Sequence, residues 1–396
     1  MTSDKQPRVL MIGGRDHTFE RLSEMNIKYV VYQYPSLVSD FIIKNAESVW
    51  VGDYENIDLV TQLAKAMHEN QPFDAVMSFA EYGFWPAAQI AISLDIPSNC
   101  DARVVELTRN KLSMRYCMNG AGINNVPFSL IKSHSDLKCF VEKHGASIVK
   151  PSCGGGSEGV SLVEKEDDFY TAMSRAANVG RGEIIVEKFI GGKEFSVETI
   201  SKKGIHEIAA ITEKITTGAP YFVESGHVQP AQLDNMVHEQ ICQSVMQLLT
   251  AIGYQTGPAH TEVKVEDCQV YIIETQIRNG GDQIWELTLN TSGIDLFKET
   301  FSTFFNLPQP SRKPKTPAQA IKYLLPSHIL VSKITGVDIA LISEGVQRVD
   351  ITAKIGQRFD EVNHSGVRGG YLLANGISKD DAWKNASCAI ELIEIQ

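Results

Sequence analysis

Residues 148–159 read Ile-Val-Lys-Pro-Ser-Cys-Gly-Gly-Gly-Ser-Glu-Gly, an apolar strand that ends in a lysine and is followed directly by a glycine-rich loop. Glycine permits positive backbone φ angles and lets backbone N–H groups approach anionic oxygens, while Lys150 supplies a positive charge. The segment therefore predicts a site for nucleotide phosphates. Taken alone, it fits a hairpin turn between two strands equally well. Neither the P-loop spacing nor the dinucleotide-binding fingerprint is present.

Two glutamates downstream suggest a metal site. Glu262 and Glu274 lie in apolar runs, 260–265 and 270–275, that predict adjacent strands. If the strands pair, both carboxylates share one face, and magnesium binds through one or two carboxylates together with substrate phosphates. The alternative is two solvent-facing acids on an exposed sheet. Gln276 and Arg278 weaken it, because they extend the same polar face along an otherwise apolar strand.

The chain before this region predicts an α/β domain. Apolar runs at 8–12, 29–34 and 75–79 alternate with helical patterns at 18–25 and 56–70, an order typical of a parallel sheet. Gly13-Gly14 closes the first run, but the fingerprint glycines of a Rossmann nucleotide site are missing. The sequence thus predicts a Rossmann-like topology without assigning a nucleotide to it.

The sequence pattern changes from residue 147 onward, where short β-prone runs separated by glycine or charged turns predict antiparallel hairpins. A proline-rich stretch, 307–317, indicates a linker or crossover, and strand-like runs and a helix over 379–391 follow it. At 396 residues the chain is too long for one hydrophobic core. We therefore expect an α/β Rossmann-like domain (1–108), an α+β central domain (109–306) and a small α+β C-terminal unit (307–396).

Composition excludes several kinds of partner. The formal net charge of −11 argues against a nucleic acid or an anionic membrane as the main partner. The seven cysteines are scattered without a Cys-x-x-Cys pair, which fits reduced thiols in the cytoplasm. The polar first residues and the short apolar run after them predict neither a signal peptide nor a membrane span.

The ordered series from Lys111 to Leu296 resembles the ATP-grasp superfamily, and the flanking segments resemble its biotin-carboxylase-like architecture, with a C-terminal unit that completes the cleft. Within that branch, His-Thr-Glu at 260–262 and Thr-Ser-Gly-Ile-Asp-Leu at 291–296 are most similar to L-amino acid ligases, which make dipeptides. Ligases of the dapdiamide antibiotic pathway belong to the same circle.

The resemblance implies ATP and Mg²⁺ as cofactors, with Mn²⁺ as a substitute. It also implies roles for individual residues. Those expected to hold the nucleotide are Lys111, Lys150, Ser152, Gly156, Ser157, Glu187, Lys188, Phe189, Ile190 and Glu194. In the family, adenine lies at the hinge that residues 187–190 resemble, and the ribose lies at the place of Glu194. Those expected to hold the metal are Glu262, Glu274 and Gln276, the last at a place where asparagine is usual. Those expected to act in catalysis are Arg278, Lys150, Gly155 and Ser157, and the loop 152–159 is expected to close over the phosphates.

The substrate pocket is less readable. Our candidates are Glu81, His260, Asp282, Arg368 and Gly369, followed by Tyr82, Trp85, Glu213, His227 and Trp285. Tyr82 and Trp85 fit core or domain-interface positions as well, and both histidines fit ordinary strand or loop positions. An arginine fork suits an amino acid's α-carboxylate, and either Arg278 or Arg368 could provide it.

The implied reaction is ATP-dependent amide formation between a small-molecule carboxylate and an amino acid. An enzyme that activates bicarbonate or formate, or an inactive nucleotide-sensing module, is the alternative. The series Lys150, Glu262, Glu274 and Arg278 argues against the inactive module, because a degenerate member is expected to lose its metal ligands. The resemblance also implies a homodimer, although the sequence identifies no interface.

Overall fold

The computed structural model describes residues 6–155, 158–219 and 221–396. The first part of the chain forms a parallel four-stranded sheet in the order β3-β2-β1-β4. Its elements are β1 Arg8–Ile12, α1 Asp16–Glu24, β2 Lys28–Gln33, α2 Asp40–Asn45, β3 Ser48–Val51, α3 Ile57–Asn70, β4 Ala75–Met77, α4 Phe84–Leu94, α5 Ala102–Arg109 and α6 Lys111–Gly120. All of β1 is buried, as expected for a parallel strand that is covered on both faces. The predicted alternation of strands and helices is confirmed.

A small antiparallel sheet follows, in the order β5-β8-β6-β7. Its elements are β5 Phe128–Leu130, α7 His134–His144, β6 Ser147–Pro151, β7 Ser161–Val163, α8 Phe169–Asn178 and β8 Ile184–Lys188. Lys150 therefore lies near the end of β6, and the glycine-rich loop connects β6 to β7. We refer to this unit, residues 128–188, as the small sheet.

The rest of the chain forms one large sheet in the order β13-β12-β9-β10-β11-β14-β19-β17, with smaller elements around it. The elements are β9 Lys193–Lys202, β10 Ile205–Thr216, β11 Glu224–Gln229, α9 Asn235–Ile252, β12 Gly257–Glu266, β13 Gln269–Gln276, α10 Ile284–Ser292, α11 Leu296–Phe304, β14 Ala318–Leu324, β15 Ile329–Leu330, β16 Ile334–Thr335, α12 Val337–Leu341, β17 Val346–Ile351, β18 Arg358–Phe359, β19 Gly370–Gly376, α13 Lys379–Ile390 and β20 Glu394–Ile395. Strands β14, β19 and β17, on which the C-terminal unit was predicted, extend the sheet of the central segment through the β11–β14 pair.

Packed cores join these parts. Helix α9 places Val237, Ile241, Val245 and Leu248 on one buried stripe, which packs in the same core cluster as strands of both the first and the large sheet. Burying an aliphatic or phenyl side chain contributes about 1.5–3 kcal/mol. Among the described residues, the structure has no helix both long enough and apolar enough to cross a membrane.

Candidate active site

One cavity lies between the small and large sheets. Its lining includes the following residues that the sequence analysis singled out: Lys111, Lys150, Gly155, Glu187, Lys188, Phe189, Ile190, Glu194, Glu262 and Glu274. The structure thus brings together residues far apart in sequence. Gly156 and Ser157 lie outside the described residues. Gln276 and Arg278 line the neighbouring cavities instead.

Lys150 is held by a buried ion cluster. Its Nζ lies 2.6 Å from Glu187 Oε2, and Arg115 Nε donates to Glu187 Oε1 at 2.8 Å. Burial disfavours the charged carboxylate, but Arg115 and Lys150 outweigh it and lower the pKa of Glu187 to about 2. Burial, helped by Arg115 and Lys111, lowers the pKa of Lys150 against the pull of Glu187. Glu187, expected at the adenine, therefore fixes the position of Lys150 with its side chain.

Lys111 stands at the start of α6, where Asn110 caps the helix by accepting from Ser113 N. Lys111 Nζ lies 3.1 Å from Glu274 Oε2 and donates to Gly154 O at 2.7 Å, while its backbone N–H donates to Ser152 O at 2.8 Å. The residue thus ties the start of the glycine-rich loop to the cavity. A cation at a helix N-terminus is well placed for an anionic ligand.

The two predicted metal carboxylates face each other. Glu262 and Glu274 are partners in the β12–β13 register, which confirms that the strands pair. Lys214 Nζ lies 2.5 Å from Glu262 Oε1 and 2.7 Å from Glu194 Oε1, and its side chain is only 3% exposed. Burial opposes its charge, yet these carboxylates raise the pKa of Lys214 well above its usual value. Burial likewise opposes the charge of Glu262, but Lys214 and His260 hold the pKa of its carboxyl well below the ordinary value.

The donor set fits magnesium. Glu274 accepts from Gln276 Nε2 at 3.2 Å, and Gln276 Oε1 is buried without a hydrogen-bond partner among the described residues. Two carboxylates and an unpartnered amide oxygen are hard oxygen donors of the kind that magnesium binds, and substrate phosphates would complete the coordination of the cation. No group of three or more His, Cys, Asp or Glu side chains that could hold a metal occurs in the described ranges.

The lining of this cavity has an aromatic part and a cationic part. Phe189 and Phe222 lie 5.9 Å apart, and Lys264 Nζ lies 5.3 Å from the first ring and 5.6 Å from the second. Aromatic faces beside a cation suit a flat heteroaromatic base. Lys111, Lys150 and the loop backbone suit phosphates instead. Glu194, expected at the ribose, lines the same cavity and pairs with Lys214.

A second cavity, of about 1000 Å³, lies between the first sheet and the segment after β13. It contains Glu81, Arg278 and Asp282, and Arg278 Nε donates to Glu81 Oε2 at 3.0 Å. Arg368 Nη2 lies 2.8 Å from Asp282 Oδ2, and its guanidinium stacks 4.0 Å from the Tyr323 ring centroid. Burial opposes the charge of Asp282, but His227 and Arg368 hold the pKa of its carboxyl well below the usual range.

Several candidates occupy other places. Glu213 points to the opposite side of β10 from Lys214 and pairs with Lys193 and Lys379, so the structure places it outside the lining of both cavities. Trp85 packs against the hydrophobic core of the first part of the chain, in agreement with the alternative assignment of this residue to a core position. Gly369 uses its backbone N–H and C=O in bonds to Leu324, Thr352 and Ala353.

Ser152 and two histidines are buried. Ser152 Oγ accepts from Glu183 N at 2.9 Å, so its hydroxyl holds the loop to a neighbouring turn. His260 Nδ1 makes a short hydrogen bond to the fully buried Glu198. His227 lies 3.8 Å from Asp282, and its two ring nitrogens have no hydrogen bond in the described structure. Tyr82 and Trp285 line the second cavity.

Sequence reasoning missed Arg115, Lys214, Phe222 and Glu224. Lys214 had one available signal, since it follows a predicted strand with the alternation of a sheet-facing residue. Arg115 had none, because it sits in an ordinary helix and its partner Glu187 is 72 positions away.

Two family models match the chain. The ATP-grasp domain matches residues 145–286, and the L-amino acid ligase C-terminal domain 2 matches residues 328–396. An uncharacterized protein of Sinorhizobium fredii, y4rH, is 22% identical over 99% of this chain and 84% of its own length. The alanine–anticapsin ligase of Bacillus subtilis is 24% identical over 60% of this chain, and the match spans 55% of that ligase.

The fold has a close counterpart among solved structures. The L-amino acid ligase from Bacillus licheniformis superposes with a TM-score of 0.86 at 22% identity, covering 100% of this chain and 99% of that one. This likeness concerns the fold. Its architecture, a Rossmann-like first part followed by ATP-grasp and C-terminal parts, is the one predicted from the sequence.

Proposed function

We propose that this chain, a member of the ATP-grasp superfamily of ATP-dependent, ADP-forming ligases, joins a small carboxylic acid to the amine of an amino acid. The premise is that it matches an ATP-grasp domain and an L-amino acid ligase C-terminal domain. One observation carries the proposal. A third cavity lies between the cavity with Lys150 and Glu262 and the second cavity with Arg278, because its lining shares Lys111 and Glu274 with the first and Glu81 with the second.

In the proposed reaction, a substrate carboxylate oxygen attacks the γ-phosphorus of ATP, giving an acyl phosphate and ADP. The amine then attacks the acyl carbon and phosphate leaves. The main barrier is electrostatic, because charge spreads over the transferring oxygens. Lys150, pinned by Glu187, and Lys111 supply fixed positive charge near those oxygens. A divalent cation held by Glu262, Glu274 and Gln276 would add charge neutralisation at the phosphates.

Substrate recognition is assigned to the second cavity. Arg278, paired with Glu81, lies where it can neutralise the reacting acyl group or bind an α-carboxylate, and Asp282, held by Arg368, offers a carboxylate for an amino acid's ammonium group. The cavity volume of about 1000 Å³ accommodates two small substrates. Water must be kept out, since hydrolysis of the acyl phosphate would waste ATP.

Three further points belong to this proposal. We divide the chain into domains 1–108, 109–306 and 307–396, the last contributing Arg368 to the cleft. We place the enzyme in the cytoplasm, because its described cysteines are all free thiols. We expect a homodimer, whose mass in solution can be measured by light scattering.

The test is phosphate release from magnesium-ATP with the proteinogenic amino acids, supplied singly and in pairs, with mass spectrometry of the products. Release that requires two amino acids, and a product lighter than their sum by one water, would support the proposal and name the substrates. The Glu274→Gln variant serves as the inactive control.

Other outcomes would redirect the assignment. Phosphate release that needs bicarbonate and no amine would replace the ligase with a bicarbonate-activating enzyme. Nucleotide binding without phosphate release, tested over amino acids and other carboxylic acids, would favour a nucleotide-sensing role and refute the ligase.

A further inference from the structure

Arg181 makes a contact between two parts of the molecule that the proposed chemistry does not use. Its Nη1 donates to Tyr82 Oη at 3.1 Å, and its Cζ lies 5.5 Å from the Tyr82 ring centroid. Arg181 belongs to the small sheet, in the turn between α8 and β8, whereas Tyr82 follows β4 of the first sheet. The contact therefore bridges the small sheet and the first part of the chain.

The same turn holds the glycine-rich loop. Cys153 N donates to Arg181 O at 3.4 Å, and Ser152 N donates to Glu183 O at 2.7 Å. On the far side of the loop, Glu158 Oε2 lies 3.4 Å from Arg181 Nη1. Both described ends of the loop are thus attached to one short turn, and Arg181 of that turn reaches the first part of the chain.

The contact stands at the wall of a cavity that leads to the predicted metal carboxylate. Arg181 and Tyr82 line this cavity of about 570 Å³ together with Lys111, Gly155 and Glu274. Separation of Arg181 from Tyr82 would open a gap in this wall and admit water to Glu274 and its surroundings. Closure at this point would protect an intermediate that hydrolyses.

We propose that Arg181 is a positioning residue, whose contact with Tyr82 holds the turn before β8, and with it Ser152, Cys153 and Glu158, against the first sheet during the reaction. The purpose of this closure, protection of an acyl phosphate, rests on the proposed function. Arg181 is 43% exposed and Tyr82 38% exposed, so their hydrogen bond and cation–π contact are weak. Together the two contacts shift an open–closed equilibrium by about fivefold, which closes the cleft yet allows product to leave.

The experiment measures release of a fluorescent ADP analogue with Mg²⁺ by stopped flow, and the ratio of phosphate released to amide formed. Arg181→Ala and Tyr82→Ala are each expected to speed nucleotide release about fivefold. The double variant is expected to be no faster than Arg181→Ala alone, because both changes break one contact. Where amide forms, the ratio of phosphate to amide should rise in the same variants.

Arg175→Ala and Tyr170→Phe are the matched controls, since both residues are exposed on α8 of the same small sheet. They are expected to stay within about twofold of wild type. Release from Arg181→Ala at the wild-type rate, or effects that multiply in the double variant, would overturn the proposal.

The two proposals can fail separately. If wild-type protein forms no amide and Arg181→Ala still releases nucleotide faster, the ligase assignment fails and the positioning role stands. If wild type forms amide and Arg181→Ala leaves both release and coupling unchanged, the positioning role alone is wrong.

Discussion

Glu187 shows how one residue organises the phosphate side of the site. Its carboxylate lies between the buried cations of Arg115 and Lys150, at 2.8 and 2.6 Å. The ordinary pKa of 4.5 falls to about 2 in the folded protein, because the two cations outweigh the effect of burial. The ionised group therefore contributes stability that is complete above about pH 4.5 and is lost as the pH falls towards about 2.

We expect Glu187→Gln to lower the free energy of unfolding by about 3–5 kcal/mol at neutral pH, because two buried cations lose their carboxylate. The variant should also lose less stability than wild type between about pH 4.5 and 2. Urea denaturation across this range measures both effects. Glu183→Gln, an exposed carboxylate one residue before β8, is the control and should match wild type. Parallel pH profiles for Glu187→Gln and wild type would contradict the ion-cluster account.

Glu274 is the residue on which the metal assignment depends. It faces Glu262 across the β12–β13 pair and contacts Lys111 at 3.1 Å. Glu274→Gln removes one anionic oxygen donor while keeping the side-chain volume, so turnover should fall by orders of magnitude and folding should be nearly unchanged. Steady-state phosphate release measures the loss of turnover, and a thermal melt measures whether folding is unchanged.

Asp267→Asn provides the matched control for Glu274→Gln. Asp267 is exposed in the turn that joins the two strands, at a φ of +48° that asparagine tolerates. Its turnover should equal that of wild type. Wild-type turnover in Glu274→Gln itself would remove Glu274 from the metal site.

At the scale of elements, the turn before β8 depends on a glycine. Gly182 has a φ of +78°, and a β-carbon there would overlap Ser152 Oγ and lie 3.1 Å from Cys153 Sγ. Gly182→Ala should therefore push the turn away from the glycine-rich loop and expose the loop to limited proteolysis. Gly180→Ala is the control, because its φ of +66° carries the same backbone strain with no atom within 4 Å of a β-carbon. Equal proteolysis in both variants would show that backbone strain, and not the close approach, matters.

The elements also explain what the sequence could predict. Glu262, Glu274 and Lys150 were readable because each is polar at the end or on one face of an apolar strand. Lys214 gave a weaker signal, because the β-prone run 208–211 ends three residues before it, whereas β10 continues to Thr216. Its role depends on pairing with Glu194 in the neighbouring strand, and strand register is a long-range property.

Strand β11 is the clearest case at this scale. Glu-Ser-Gly-His-Val-Gln, residues 224–229, lacks the apolar alternation of a strand, so no strand is predicted there. This strand joins β10 to β14 in the large sheet. Without it, the C-terminal strands could only be predicted as a separate unit.

For the molecule as a whole, the first sheet does not complete its own core. Helix α11 lies between strands β13 and β14 of the large sheet in the chain, yet its Phe297 and Phe301 pack with Val9, Met11 and Phe19 around the first sheet. Arg21 of α1 also pairs with Asp295, at 3.2 Å, just before α11 begins. The first sheet, after whose strand β4 Glu81 and Tyr82 follow, is therefore positioned by α11, a helix that lies much later in the chain.

This arrangement predicts coupled stability between distant segments. Phe301 is fully buried, so Phe301→Ala should cost about 3–5 kcal/mol and loosen the first sheet. We expect faster amide hydrogen exchange at Val9 and Met11, together with a single shifted unfolding transition in calorimetry. Tyr170→Ala, which truncates a 72% exposed ring in the small sheet, should leave both unchanged. Undisturbed exchange in β1 despite a destabilised large sheet would mean that the first sheet folds on its own, and that the cleft between the two is free to change its width.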